Sequence, residues 1–148
     1  MNTKHLLQIT TVTLLLTTVQ SAFALSCIRP DPVQSCKQMQ SDNQSPVWVN
    51  GTLRLKRIIS QETRGKSIGG KGPAVAEYIF TGDLSDKSGK RAVKGIPLTI
   101  STSCAGPWCA SLPQDNKSGY FLMKGDDKSG LKLNLGACSF QPFQVTAE

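Results

Sequence analysis

Cys104 and Cys109 enclose Ala-Gly-Pro-Trp, so two sulfurs stand four residues apart. Such a pair can be a redox couple, half of a metal site or a covalent staple. A thioredoxin-type couple uses C-x-x-C at a helix N-terminus, where the thiol pKa is lowered. Here the spacing is longer, Gly106 and Pro107 ask for a tight loop, and Ser111-Leu112-Pro113 does not read as a helix. A zinc site needs four well-spaced ligands. A local Cys104–Cys109 staple is the leading reading, with a thiol or redox role for the pair as the weaker one. The loop it closes is small, so the chain-entropy gain is about 2 kcal/mol.

The compartment follows from the first residues. Lys4 precedes an apolar, Thr-containing stretch from Leu6 to Val19, and Ala22 and Ala24 are the small residues a signal peptidase needs at −3 and −1. Cleavage after Ala24 is expected. Residues 1–24 are then a signal peptide and 25–148 one mature domain that opens Leu25-Ser26-Cys27. A lipoprotein signal would place Leu three residues before Cys27; Ala24 stands there, so lipidation is not expected. The apolar stretch is too short to span a bilayer, which takes roughly 20 apolar residues, so no membrane anchor is expected. Export to a periplasm or the extracellular space makes disulfides the default for Cys27, Cys36, Cys104, Cys109 and Cys138. Five is odd, so at least one sulfur lacks an intramolecular partner.

The only histidine, His5, falls within the signal peptide. Loss of His5 removes the usual general base and every Ser-His or Cys-His nucleophile pair. The acids are scattered, many in turns such as Gly125-Asp126-Asp127, and no carboxylate pair stands out. The expectation is a protein that is not an enzyme and carries no cofactor. Gly65, four residues, then Gly70-Lys71 imitates a phosphate loop, but Gly72 stands where Ser or Thr should bind magnesium. It reads as a plain loop. Asn43-Gln44-Ser45, Asn50-Gly51-Thr52 and Asn116-Lys117-Ser118 are glycosylation sequons, relevant only in a eukaryotic host.

The elements that would position these residues are short and strand-like. Val47-Trp48-Val49 leads through Asn50-Gly51, a bulge or hairpin turn, into Thr52–Ile59, where Leu53, Leu55 and Arg57 alternate with Arg54, Lys56 and Ile58. Residues 60–73 and 83–94 read as polar loops, with strands at 74–80 and 96–102. Tyr120–Met123 is an apolar run, and Leu131, Leu133 and Leu135 alternate up to Cys138. No helix is evident. The sum is an all-β domain of five or six short strands, a small barrel or sandwich. Basic residues outnumber acidic ones by 17 to 10. They cluster at Arg54-Lys56-Arg57 and at Lys87-Lys90-Arg91-Lys94, as solvated faces or as a site for an anionic partner.

The beginning and the last third of the chain resemble the N-terminal domain of the tissue inhibitors of metalloproteinases (TIMPs), a branch of the netrin-like modules. The residues that carry the resemblance are Ser26-Cys27-Ile28-Arg29-Pro30 with Cys36, Cys104-Ala105-Gly106, Phe121-Leu122-Met123-Lys124-Gly125, Ser129-Gly130-Leu131-Lys132-Leu133 and Cys138-Ser139-Phe140. The resemblance implies a five-stranded oligonucleotide/oligosaccharide-binding (OB) barrel with disulfides, and a Cys27–Cys138 bond that ties the N-terminal segment to it. Such a bond closes a loop of over one hundred residues, for which the chain-entropy model gives roughly 4–5 kcal/mol. The chain departs from the family in two ways. Leu25 stands where the family has its first Cys, the partner of the counterpart of Cys104, so Cys109 is left to take Cys104. The chain also ends ten residues after Cys138, without the later Cys that would partner Cys36. Cys36 is therefore the candidate free thiol, or a competitor for Cys109.

The resemblance also implies a mechanism. The free α-amine and carbonyl of the first mature residue chelate a target protease's zinc, and the second side chain enters its specificity pocket. Leu25 would be the chelator, Ser26 the pocket residue and Cys27 the anchor. The expected function is thus a secreted or periplasmic binding protein, most concretely a metalloprotease inhibitor with a protein partner. The alternative is a basic OB barrel that binds a glycan or another anionic partner. Aromatic residues are few and not interleaved with bases, and export argues against nucleic acid.

Overall fold

The computed structural model describes residues 27, 31–42, 44–63, 71–139 and 141–143. They form one helix, α1 (Pro32–Ser41), and seven strands: β1 (Pro46–Thr63), β2 (Lys71–Asp86), β3 (Gly89–Thr102), β4 (Cys104–Ala105), β5 (Trp108–Cys109), β6 (Lys117–Asp126) and β7 (Gly130–Leu135). The protein is mostly β. Five strands close a barrel in the order β1-β2-β3-β7-β6, and β4-β5 form a separate two-stranded ladder. All neighbours in the barrel are antiparallel except β3 and β7, which run parallel.

Alternation decides which side chains fill the barrel. Val47, Val49 and Leu53 of β1 point inward, as do Tyr78, Phe80 and Leu84 of β2 and Leu98 and Ile100 of β3. Phe121 and Met123 of β6 and Leu131, Leu133 and Leu135 of β7 complete the core. Each such side chain contributes about 1.5–3 kcal/mol by leaving water, and together they fix the register, since a slip of one residue would turn them outward.

β1 serves two neighbours. Its first half, Pro46–Leu53, pairs with β6, while Trp48–Thr63 pairs with β2. Asn50-Gly51 is neither turn nor bulge but the middle of this strand. Gly51 stands opposite Gly82 on β2 and Gly119 on β6, which lets three backbones approach where the sheet curls into a barrel. Beyond Leu55 the β1–β2 pairing carries three register shifts, so Arg57, placed with Leu53 and Leu55 by strict alternation, is exposed.

The two polar segments differ from the expected loops. Residues 83–94 are the two arms of a β2–β3 hairpin around Lys87-Ser88, with the Asp86 carboxylate accepting from the Ser88 N–H at 2.8 Å. Lys90–Asp83 (3.0 Å) and Arg91–Asp86 (2.9 Å) bridge the strands. Of residues 60–73, β1 extends to Thr63 and β2 begins at Lys71; Gly65 and Gly70 of the phosphate-loop imitation lie outside the described residues. Lys71-Gly72 opens a strand, not the helix a phosphate loop requires.

The helix was not expected. Asp31 caps it, its Oδ1 accepting from the Val33 N–H at 2.8 Å, and Pro32 occupies the first turn, where its missing N–H costs nothing. None of its residues is buried. Without an apolar stripe it leaves no 3.6-residue signature to read.

Candidate functional site

Cys27 is bonded to Cys138, with Cα atoms 5.2 Å apart and a sequence separation of 111. Cys138 lies just past β7, in a turn held by Gly136 N–H to Ser139 Oγ (2.7 Å) and Ser139 N–H to Gly136 O (2.9 Å). Leu25 and Ser26 lie outside the described residues, as do Ile28-Arg29-Pro30 and Phe140.

Cys104 and Cys109 are also bonded. They are direct partners on the β4–β5 ladder, with Cα atoms 3.9 Å apart. Gly106, at φ +58, and Pro107 make the turn between them, which suits a tight hairpin with glycine at its first central position. Trp108 is 42% exposed.

The two disulfides share one end of the barrel. The Ser103 N–H donates to Leu135 O at 2.9 Å, and Ser103 O accepts from the Ala110 N–H at 3.1 Å. The staple hairpin is thus latched through Ser103 to the end of β7, three residues before Cys138. The chain after the hairpin is fixed in turn. The Tyr78 hydroxyl, at the end of an otherwise buried side chain, donates to Pro113 O at 2.7 Å, and Asp115 Oδ1 accepts from the Leu55 N–H at 2.7 Å. Burial, then the Asp115 charge, push the Tyr78 phenol above its ordinary pKa.

Cys36 is the one free cysteine among the described residues and is half-buried on α1. Beside it, a groove of about 510 Å³ runs between α1 and the outer face of β6 and β7. Gln34, Ser35, Gln38 and Met39 line the helix side, and Leu122, Lys124, Lys132 and Asn134 the barrel side; Cys138 lines it too.

The basic clusters read from the sequence are neutralised in part. Arg57 clasps Glu77 with Nε and Nη2, both at 2.8 Å, and Lys56 approaches the same carboxylate at 3.5 Å. These hydrogen bonds hold the Glu77 carboxyl below the usual carboxylate range. Lys90 is taken by Asp83, and Arg91 by Asp86 and Asp127. Arg54, Lys87 and Lys94 keep no ion pair among the described residues; Arg54 and Lys94 line an outer depression of about 270 Å³ with Thr52, Ile79 and Asn116. Most described acids are committed to pairs, caps or turns. Asp126, for example, accepts from the Lys128 and Ser129 N–H groups at 2.8 and 2.6 Å.

No family model, no curated protein and no solved structure matches this chain. Two disulfides in a short chain fit an oxidising compartment. Among the described residues no helix is long and apolar enough to cross a membrane.

Sequence reasoning missed the α1 groove. Lys124 and Lys132 are each ordinary in the chain, and only the β6–β7 register brings them face to face.

Proposed function

We propose that this protein is an exported, non-enzymatic binding module of the netrin-like kind, and that its mature N-terminus inhibits a zinc metalloprotease. The observation that carries the proposal is the Cys27–Cys138 bond. It fixes to the barrel the residue two positions after the expected first residue, Leu25, at the end that also carries the Cys104–Cys109 hairpin. Strand order supports the same reading. A five-stranded closed barrel whose last strand runs parallel to its third suits an OB barrel.

The chemistry needs few parts. An α-amine has a pKa near 8, so at neutral pH a fraction is unprotonated and can donate its lone pair to the target's zinc. The Leu25 carbonyl oxygen supplies a second ligand, and Ser26 enters the pocket beside the scissile position. Ordering a free terminus costs binding energy. The bond at Cys27 meets part of that cost in advance, and Leu25, which cannot be bonded to Cys104, leaves the rest to be met on binding. Cys104 is satisfied by Cys109 instead.

The test compares protein that begins at Leu25 with the same protein extended by one residue, against a zinc metalloprotease. The Leu25 form inhibits and the extended form does not, because the added peptide bond removes the amine's lone pair. Equal inhibition by both forms, or none by either, overturns the reading.

A further inference from the structure

Lys124 on β6 stands directly opposite Lys132 on β7. Like charges facing each other across a ladder destabilise it, and neither lysine has an ion-pair partner among the described residues. Both line the groove beside α1. Side chains directly opposite each other on one face have Cβ atoms about 4.5–5.5 Å apart, close enough for two ammonium groups to converge on one carboxylate.

The other linings suit hydroxyl groups rather than a bare anion. Gln38 Nε2 donates to Asp42, which leaves its carbonyl oxygen free, and Asn134 Oδ1 accepts from Ser101, which leaves its NH₂ free. The Gln34 amide has no intramolecular partner among the described residues. Leu122 and Met39 supply apolar surface. Asp31, the one acid lining the groove, is occupied as the helix cap. A volume of about 510 Å³ lies in the range of small-molecule sites.

We propose that this groove binds an acidic sugar. Its carboxylate sits between Lys124 and Lys132, its hydroxyls meet Gln34, Gln38 and Asn134, and a ring face rests on Leu122 and Met39. The ligand would relieve the lysine–lysine repulsion that the empty ladder carries. This site does not rest on the inhibitory reading, and its test involves no protease.

The experiment follows amide resonances of the isotope-labelled protein as D-glucuronate is added, with D-glucose as the neutral probe and inorganic sulfate as the bare anion. Glucuronate is expected to give saturable shifts at residues 122–124, 132–134 and 34–38, glucose none, and sulfate weaker ones. Lys132→Gln, at an exposed position, is expected to weaken glucuronate about ten-fold, as loss of one charged contact does. Lys124→Gln with Lys132→Gln is expected to abolish binding while the remaining resonances stay in place. No saturable shift, shifts elsewhere, glucose or sulfate matching glucuronate, or a Lys132→Gln variant with unchanged affinity would each overturn the proposal.

Discussion

Gly51 of β1 faces Gly82 of β2 with no room for a side chain on either. A Cβ built on Gly51 would lie 2.7 Å from the Gly82 Cα and would collide with Thr81 O. Gly51→Ala is therefore expected to part the two strands and cost about 2–3 kcal/mol, as overpacking does. Gly95 differs: its φ is +77 but nothing lies within 4 Å of its would-be Cβ. Gly95→Ala should cost only the left-handed strain, about 1 kcal/mol. Urea midpoints of the two variants check the contrast; equal losses would mean that β1 and β2 part at Gly51 at little cost.

The two disulfides should differ in their contribution by more than their number suggests. Cys27–Cys138 spans 111 residues and Cys104–Cys109 spans five. The chain-entropy model gives about 4–5 kcal/mol for the first and about 2 kcal/mol for the second. Paired Cys→Ser variants, unfolded in urea, measure both. A staple contribution as large as the tether's would contradict the loop-length argument.

Several carboxylates tie stability to acid pH. Arg57 holds Glu77 below the usual carboxylate range, the Ser88 N–H followed by Arg91 does the same for Asp86, and the Ser129 and Lys128 N–H groups do so for Asp126. A folded pKa below the unfolded one means stability that is intact above the unfolded value, about 4, and lost as pH falls through the folded value. These groups lie at the surface, so each contribution is small. The melting temperature is expected to fall below about pH 4, and Glu77→Gln with Asp126→Asn to flatten that fall. The same slope in wild type and variant would rule these groups out as its source.

Much of the barrel was legible because its inner face obeys a period of two. Leu53 and Leu55 marked the strand that is part of β1, and Leu131, Leu133 and Leu135 marked β7. The arms around Lys87-Ser88 were not legible, because they are held by cross-strand ion pairs such as Lys90–Asp83 rather than by burial, and a run of charged residues reads as loop. Helix α1 was hidden for a related reason. The side it turns to the groove is Gln34, Ser35, Gln38 and Met39, a stripe too polar to mark a helix. The cysteines that join could be named from the sequence, but the proximity of the two disulfides depends on the Ser103–Leu135 latch, a long-range contact no local pattern encodes.

The facing lysines allow an energetic test apart from any ligand. Replacing a like-charge cross-strand pair by an opposite one gains about 0.5 kcal/mol. Lys132→Glu should therefore raise the melting temperature in low salt, and the gain should shrink as salt screens it. A loss of stability would mean that Lys124 and Lys132 avoid each other by leaning apart.

Because both covalent cross-links gather at one pole and no disulfide joins two strands of the barrel, a reductant would act on the molecule unevenly. The five strands would keep their ladders and apolar core at a stability lowered by the lost loop closures, while Cys27 would come free of the turn after β7. The thiol–disulfide balance of the surroundings would then govern whether Cys27 stays docked at the barrel.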